Sequence, residues 1–107
     1  ISAYQPCQSK NKQLHAVYSQ HRRYYISRGD DRCPRLIFRT DLAKALEKWK
    51  EKKERIILFI DANEDLNTGP LVKIFRQLEL KDAIRERTGV KGPKTFYQGE
   101  HQIDSVC

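Results

Sequence analysis

The clearest pattern in the chain is an apolar run, Ile56-Ile57-Leu58-Phe59-Ile60, that stops abruptly at Asp61-Ala62-Asn63-Glu64-Asp65. The run is too short for a helix and rich in β-branched and aromatic residues, so it predicts a central strand covered on both faces. Upstream, Ile1 to Gln5 reads as a short strand stopped by Pro6. From Leu14, the positions Leu14, Val17, Tyr18, His21, Tyr24 and Tyr25 recur with helical period opposite Gln20, Arg22 and Arg23. They predict an amphipathic helix ending near Gly29. Gly29 to Pro34 has turn chemistry throughout and predicts a loop.

Thr40 has an N-cap side chain, and Asp41 has the charge that suits a first helical turn. The helix so started sets Leu42, Ala45, Leu46 and Trp49 on one stripe, with Lys44, Glu47, Lys48 and Glu51 facing outward. Lys48, Lys50, Lys52 and Lys53 make a basic run, but Glu47, Glu51 and Glu54 interleave with it, so a solvated face is expected. Beyond the central strand, Asn67-Thr68-Gly69 predicts a turn and Pro70 the first position of a helix, buried through Leu71, Ile74, Phe75 and Leu78. Gly89 to Lys94 predicts a loop. Thr95-Phe96-Tyr97 and Ile103-Asp104-Ser105-Val106 predict two strands separated by Gln98-Gly99-Glu100-His101.

Composition narrows the class. At 107 residues, 38% hydrophobic and 33% charged, the chain suits one soluble α/β domain and not a disordered one. No apolar stretch approaches the roughly 20 residues that span a bilayer, so no membrane association and an intracellular setting are expected. The net charge of +7 favours a polyanionic partner, DNA or RNA. Cys7, Cys33 and Cys107 show no zinc-ligand spacing and are expected to be reduced thiols.

The candidate chemistry lies at strand ends. Asp61 and Asn63 are two apart, so in an extended segment they face the same side, with the small Ala62 turned away. A carboxylate beside a carboxamide suits phosphate-ester hydrolysis: Asp61 to orient or deprotonate water or hold a divalent cation, Asn63 to donate to a phosphate oxygen. Read by itself, the pair equally well begins a turn.

Ala3-Tyr4-Gln5-Pro6, an apolar strand ending Asp61-Ala62-Asn63, and Thr95-Phe96 followed by Ile103-Asp104 resemble, in order and spacing, the endonuclease/exonuclease/phosphatase superfamily. This is the DNase I-like fold, shared by the abasic-site endonucleases, and the likeness covers nearly the whole chain. It implies a two-sheet β-sandwich flanked by helices and Mg2+- or Mn2+-dependent cleavage of phosphate esters. Asp61 then matches the Asp that activates water, with Asn63 on the scissile phosphate and both beside the metal. Tyr4 matches a phosphate-bonding Tyr, Asp104 the Asp that orients a catalytic His, and Arg39, loosely, a substrate contact.

The chain departs from the pattern at Ile60, where Gly is usual, and at His101-Gln102, where a basic residue is common. The family's upstream metal-binding Glu and Asn and its downstream Asp-His pair have no counterpart. Residues 1–107 therefore read as the central part of an incomplete domain, inactive alone and exposing strand edges and one open sheet face. A retroelement polyprotein is one setting for such an endonuclease. His15, His21 and His101 are not expected to replace the missing His. Tyr18, Tyr24 and Tyr25 are expected to pack, and Glu64, Asp65, Asp30 and Asp31 to solvate loops. Two alternatives stay open: a non-catalytic basic module that binds nucleic acid or an acidic protein, and a phosphatase acting on small esters or phosphoinositides.

Overall fold

The computed structural model describes residues 1–7, 16–89 and 104–106. Within them the order is β1 (Ser2–Tyr4), α1 (Val17–Ser27), α2 (Pro34–Glu51), β2 (Phe59–Asp61), α3 (Pro70–Gln77), α4 (Ala83–Thr88) and β3 (Asp104–Val106). The strand expected at Thr95–Tyr97, the turn carrying His101, and Leu14, His15 and Cys107 lie outside the described residues. α4 was not anticipated.

The three strands form one mixed sheet in the order β1-β2-β3, with β1 parallel and β3 antiparallel to β2. The apolar run is thus central, but it is covered on one face. Leu58 and Ile60 are buried, whereas Ile57 and Phe59 are 60% and 52% exposed. The pattern is the period-two alternation of a half-buried strand. One apolar cluster forms the covered side, joining Leu58, Ile60 and Ala62 to Leu42 and Leu46 of α2, to Leu66, and to Leu71 and Phe75 of α3.

α2 corrects the expected helix start. It begins six residues before Thr40, with Pro34 at its first position, where the fixed φ of proline and its missing N–H cost nothing. Ile37 and Phe38 extend the stripe of Leu42, Leu46 and Trp49 back towards Pro34. Thr40 sits inside the helix and donates Oγ1 to the Leu36 carbonyl at 2.9 Å. Pro70 does open α3, after Gly69 as N-cap.

Three helices end alike. After α1, α2 and α3 the chain turns left-handed at Gly29, Lys53 and Glu79, with φ of 78°, 57° and 59°. In each case the next residue's N–H reaches back to a carbonyl five residues earlier: Asp30 to Tyr25, Glu54 to Trp49, Leu80 to Phe75. This is the Schellman closure, which satisfies carbonyls of the last helical turn and ends each helix sharply.

α1 departs furthest from its expected packing. Among the described residues of the predicted stripe only Tyr18 is buried, while Val17 and Tyr24 are exposed. His21, expected as a packed imidazole, is exposed with its ring edge-on to Tyr25 at 6.3 Å.

Candidate functional site

Strand register brings three of the candidate residues into one row. Tyr4 is the cross-strand partner of Asp61, and Asp104 lies opposite Asp61 on the other side. Tyr4 and Asp61 project from the open face, since Ala3 and Ile60 beside them belong to the buried side. They are separated by 57 positions in the chain and made adjacent by pairing alone.

Asn63 does not continue the extended strand. Its φ is +46°, so the chain leaves β2 through a left-handed residue, a conformation Asn tolerates better than most. Its N–H bonds Asp61 Oδ1 at 3.3 Å, and its Nδ2 donates to the Gln5 carbonyl at 2.8 Å. The expectation that Asp61 and Asn63 share one face of an extended segment is therefore corrected: a turn joins them. A primary amide has two N–H donors, and the bond to Gln5 uses one. Ala62 does turn away, into the core.

The residue that organises this corner is Gln5, which sequence reasoning passed over. It is fully buried. Its N–H extends the ladder to the Asp61 carbonyl at 2.9 Å. Nε2 donates to the Ala62 carbonyl at 2.6 Å and to Glu64 Oε1 at 3.2 Å, and Oε1 accepts from Arg39 Nε at 3.3 Å. Burying an amide is tolerable only when its partners are supplied, and here they are. Arg39 lies within α2 and is drawn to the site through Gln5.

Glu64, expected to solvate a loop, is instead a nearly buried carboxylate. It faces Arg35 at 3.8 Å, and the two side chains are 9% and 11% exposed. Arg35 also donates to the Asn63 carbonyl at 3.2 Å, tying α2 to the left-handed corner. Asp65 builds the next turn, accepting from Asn67 N and Nδ2 at 2.9 Å each and from Thr68 Oγ1 at 3.0 Å. A signal for Gln5 existed: alternation puts Ala3 inward and Tyr4 outward, so Gln5 points inward and must find partners.

Among the described residues, no three His, Cys, Asp or Glu side chains gather as metal ligands. Cys7 and Cys33 are exposed free thiols. Cys33 precedes α2 and meets the Tyr18 hydroxyl at 3.3 Å. Burial pushes its thiol up, but the Tyr18 hydroxyl, the facing amides of Arg35 and Leu36 and the charge of Arg39 together hold it below the usual range. No helix among the described residues is long and apolar enough to cross a membrane.

Comparison of the chain with family models, curated proteins and solved structures gave no match.

Proposed function

We propose that the chain is the central part of a divalent-metal-dependent phosphodiesterase domain of the DNase I-like type, an endonuclease acting on DNA or RNA. The observation that carries this reading is the row Tyr4, Asp61 and Asp104 across three strands, with Asn63 fastened beside it. Motifs far apart in the chain meet in one row across the sheet, which is the grouping that the resemblance implies. The open face that carries Tyr4, Phe59 and Asp61 also suits a sheet whose second layer belongs to other segments of the domain.

Each residue then has a role that its surroundings permit. Asp61 orients or deprotonates the attacking water and offers a carboxylate oxygen to Mg2+ or Mn2+. Mg2+ often takes only one or two carboxylates, completing its shell with water and substrate phosphate. Asn63 keeps an N–H for a phosphate oxygen, Tyr4 brings an exposed hydroxyl to the same row, and Arg39 supports the corner through Gln5. Asp104 orients an acid–base group from another segment. The net charge of +7 favours a polynucleotide over a small ester.

The test is a Mg2+-dependent plasmid-nicking assay on the protein carrying its natural flanking sequence. Asp61→Asn should lower the rate by roughly a hundredfold or more, as loss of a positioned general base or electrostatic group does. Chelation of the metal should abolish nicking. Full activity of Asp61→Asn, or nicking that survives chelation, overturns the reading.

A further inference from the structure

α1 is exposed in an unusual way. An isolated helix of 11 residues is marginal in water, so a helix this short normally persists by burying a face. Here only Tyr18 is buried, against the start of α2. Outward stand Val17, His21, Tyr24 and Arg28, which at spacings of four, three and four residues form a single stripe.

The charge of α1 is of one sign: Arg28 lies on that stripe, and Arg22 and Arg23 lie on the two flanks of the helix beside it. Residues 16–29 hold three arginines, Arg22, Arg23 and Arg28, and no Asp or Glu. All three are exposed. The outer face of α2 differs, because Glu47, Glu51 and Glu54 offset its lysines. On α1 the aromatic rings are also ordered: Tyr24 meets Tyr25 edge-on at 5.4 Å, and the Arg28 guanidinium lies 4.6 Å from the Tyr24 ring centroid. Tyr24, expected to pack, is 51% exposed.

Arginine forks match phosphate oxygens, and an exposed ring braced by a guanidinium offers a platform for a base. A duplex presents phosphates but keeps its base faces stacked, which leaves Tyr24 without use. An acidic protein also leaves it without use. A single strand presents both phosphates and bases. We propose that α1 is a docking surface for single-stranded nucleic acid, with Arg22 and Arg23 on phosphates and Tyr24, braced by Arg28, stacking a base. The surface shares no residue with the strand-end site and stands whether or not Asp61 cleaves anything.

The experiment is fluorescence anisotropy of a labelled oligothymidylate against the 107-residue chain, compared with a duplex of equal length. The single strand should bind more tightly, with affinity that falls as salt rises. Tyr24→Ala should weaken binding about tenfold while leaving the salt slope unchanged, and Tyr24→Phe should retain it. Combined Arg22→Ala and Arg23→Ala should lower the slope by about two phosphates' worth. Lys48→Ala, on the outer face of α2, should bind like the parent. Thermal unfolding of each variant separates loss of a contact from loss of fold. Parent-like binding by a folded Tyr24→Ala overturns the proposal. Equal or tighter binding of duplex overturns it too, as does equal competition by polyglutamate, which would mark an acidic-protein surface. If Tyr24→Ala fails to fold, Arg28→Gln decides: weaker single-strand binding sustains the proposal, and parent-like binding overturns it.

Discussion

The side-chain amide of Asn63 donates to the main-chain carbonyl of Gln5 at 2.8 Å, fastening the exit of β2 to the exit of β1. Asn63 holds a left-handed φ of +46° while it makes this bond. The two demands can be separated by substitution. Asn63→Gly keeps the backbone conformation available and loses the side-chain bond, so it should cost about 1 kcal/mol. Asn63→Ala loses the bond and strains the backbone, and should cost roughly 2 kcal/mol or more. Urea unfolding of the two variants measures the difference. If Ala is no worse than Gly, backbone conformation is not what selects Asn here.

Gln5 should be the most sensitive polar position near the site. Gln5→Leu retains much of the volume but strips a partner from the Ala62 carbonyl, from Glu64 and from Arg39. Leaving such buried groups unpaired should cost about 2–4 kcal/mol. Denaturant unfolding checks this, and a cost below that of Asn63→Gly would show that water replaces the amide.

These two residues also show what the sequence reveals and what it hides. Leu58, Ile60 and Ala62 can be placed on the core side because alternation is a local property of the chain. Gly29 and Pro70 likewise announce a helix end and a helix start through their own backbone preferences. The network of Gln5 is hidden because its partners Ala62 and Glu64 lie 57 and 59 positions away, and only strand pairing brings them close. The early start of α2 was masked by Cys33-Pro34, which resembles a loop as readily as a helix opening. The row Tyr4, Asp61 and Asp104 was legible as a set of strand ends, whereas the left-handed turn at Asn63 was not. Its side chain is directed by a carbonyl from another strand. The open face of α1 is a tertiary outcome that helical periodicity alone does not anticipate.

Gly69 is required by close approach, not by its φ. A Cβ built there would stand 2.6 Å from the Asp65 carbonyl oxygen and 2.8 Å from Glu64 Oε2. The first of these is backbone, fixed by the bond from Gly69 N to the Asp65 carbonyl at 2.7 Å. Gly69→Ala should therefore destabilise by about 1–3 kcal/mol, as overpacking does. It should also disturb the Glu64–Arg35 pair, seen as shifted side-chain NMR signals of Arg35. An unchanged unfolding midpoint would mean that the 65–69 turn opens without cost.

Lys53 offers a stabilising change. It occupies the left-handed position after α2 with φ +57°, where glycine bears no steric penalty. Its side chain is exposed. Lys53→Gly should raise stability by about 1 kcal/mol and shift the urea midpoint upward without changing the slope. Glu79→Gly should gain less, because it also removes the exposed contact between Lys50 Nζ and Glu79 Oε2 at 2.6 Å. Equal gains at the two positions would show that this ion pair adds nothing.

The Tyr18–Cys33 contact should be visible as a pH dependence with a defined sign. The hydrogen bond to Cys33 and burial hold the Tyr18 hydroxyl above its usual value, while the net effect at Cys33 is to hold its thiol below. Both shifts favour the same state, a neutral phenol donating to a thiolate. For Cys33, a depressed folded value means its contribution is present above the ordinary thiol range and lost as pH falls through the depressed value. For Tyr18, a raised folded value means its contribution is present below the ordinary phenol range and lost as pH rises through the raised value. Stability from this contact should therefore peak in the alkaline window between the two titrations. Alkylation of Cys33 by iodoacetamide, followed by mass spectrometry against pH, should show a midpoint below that of an ordinary thiol. Tyr18→Phe removes the donor and should move that midpoint upward. An unmoved midpoint would leave the helix amides and Arg39, and not Tyr18, as what holds the thiolate.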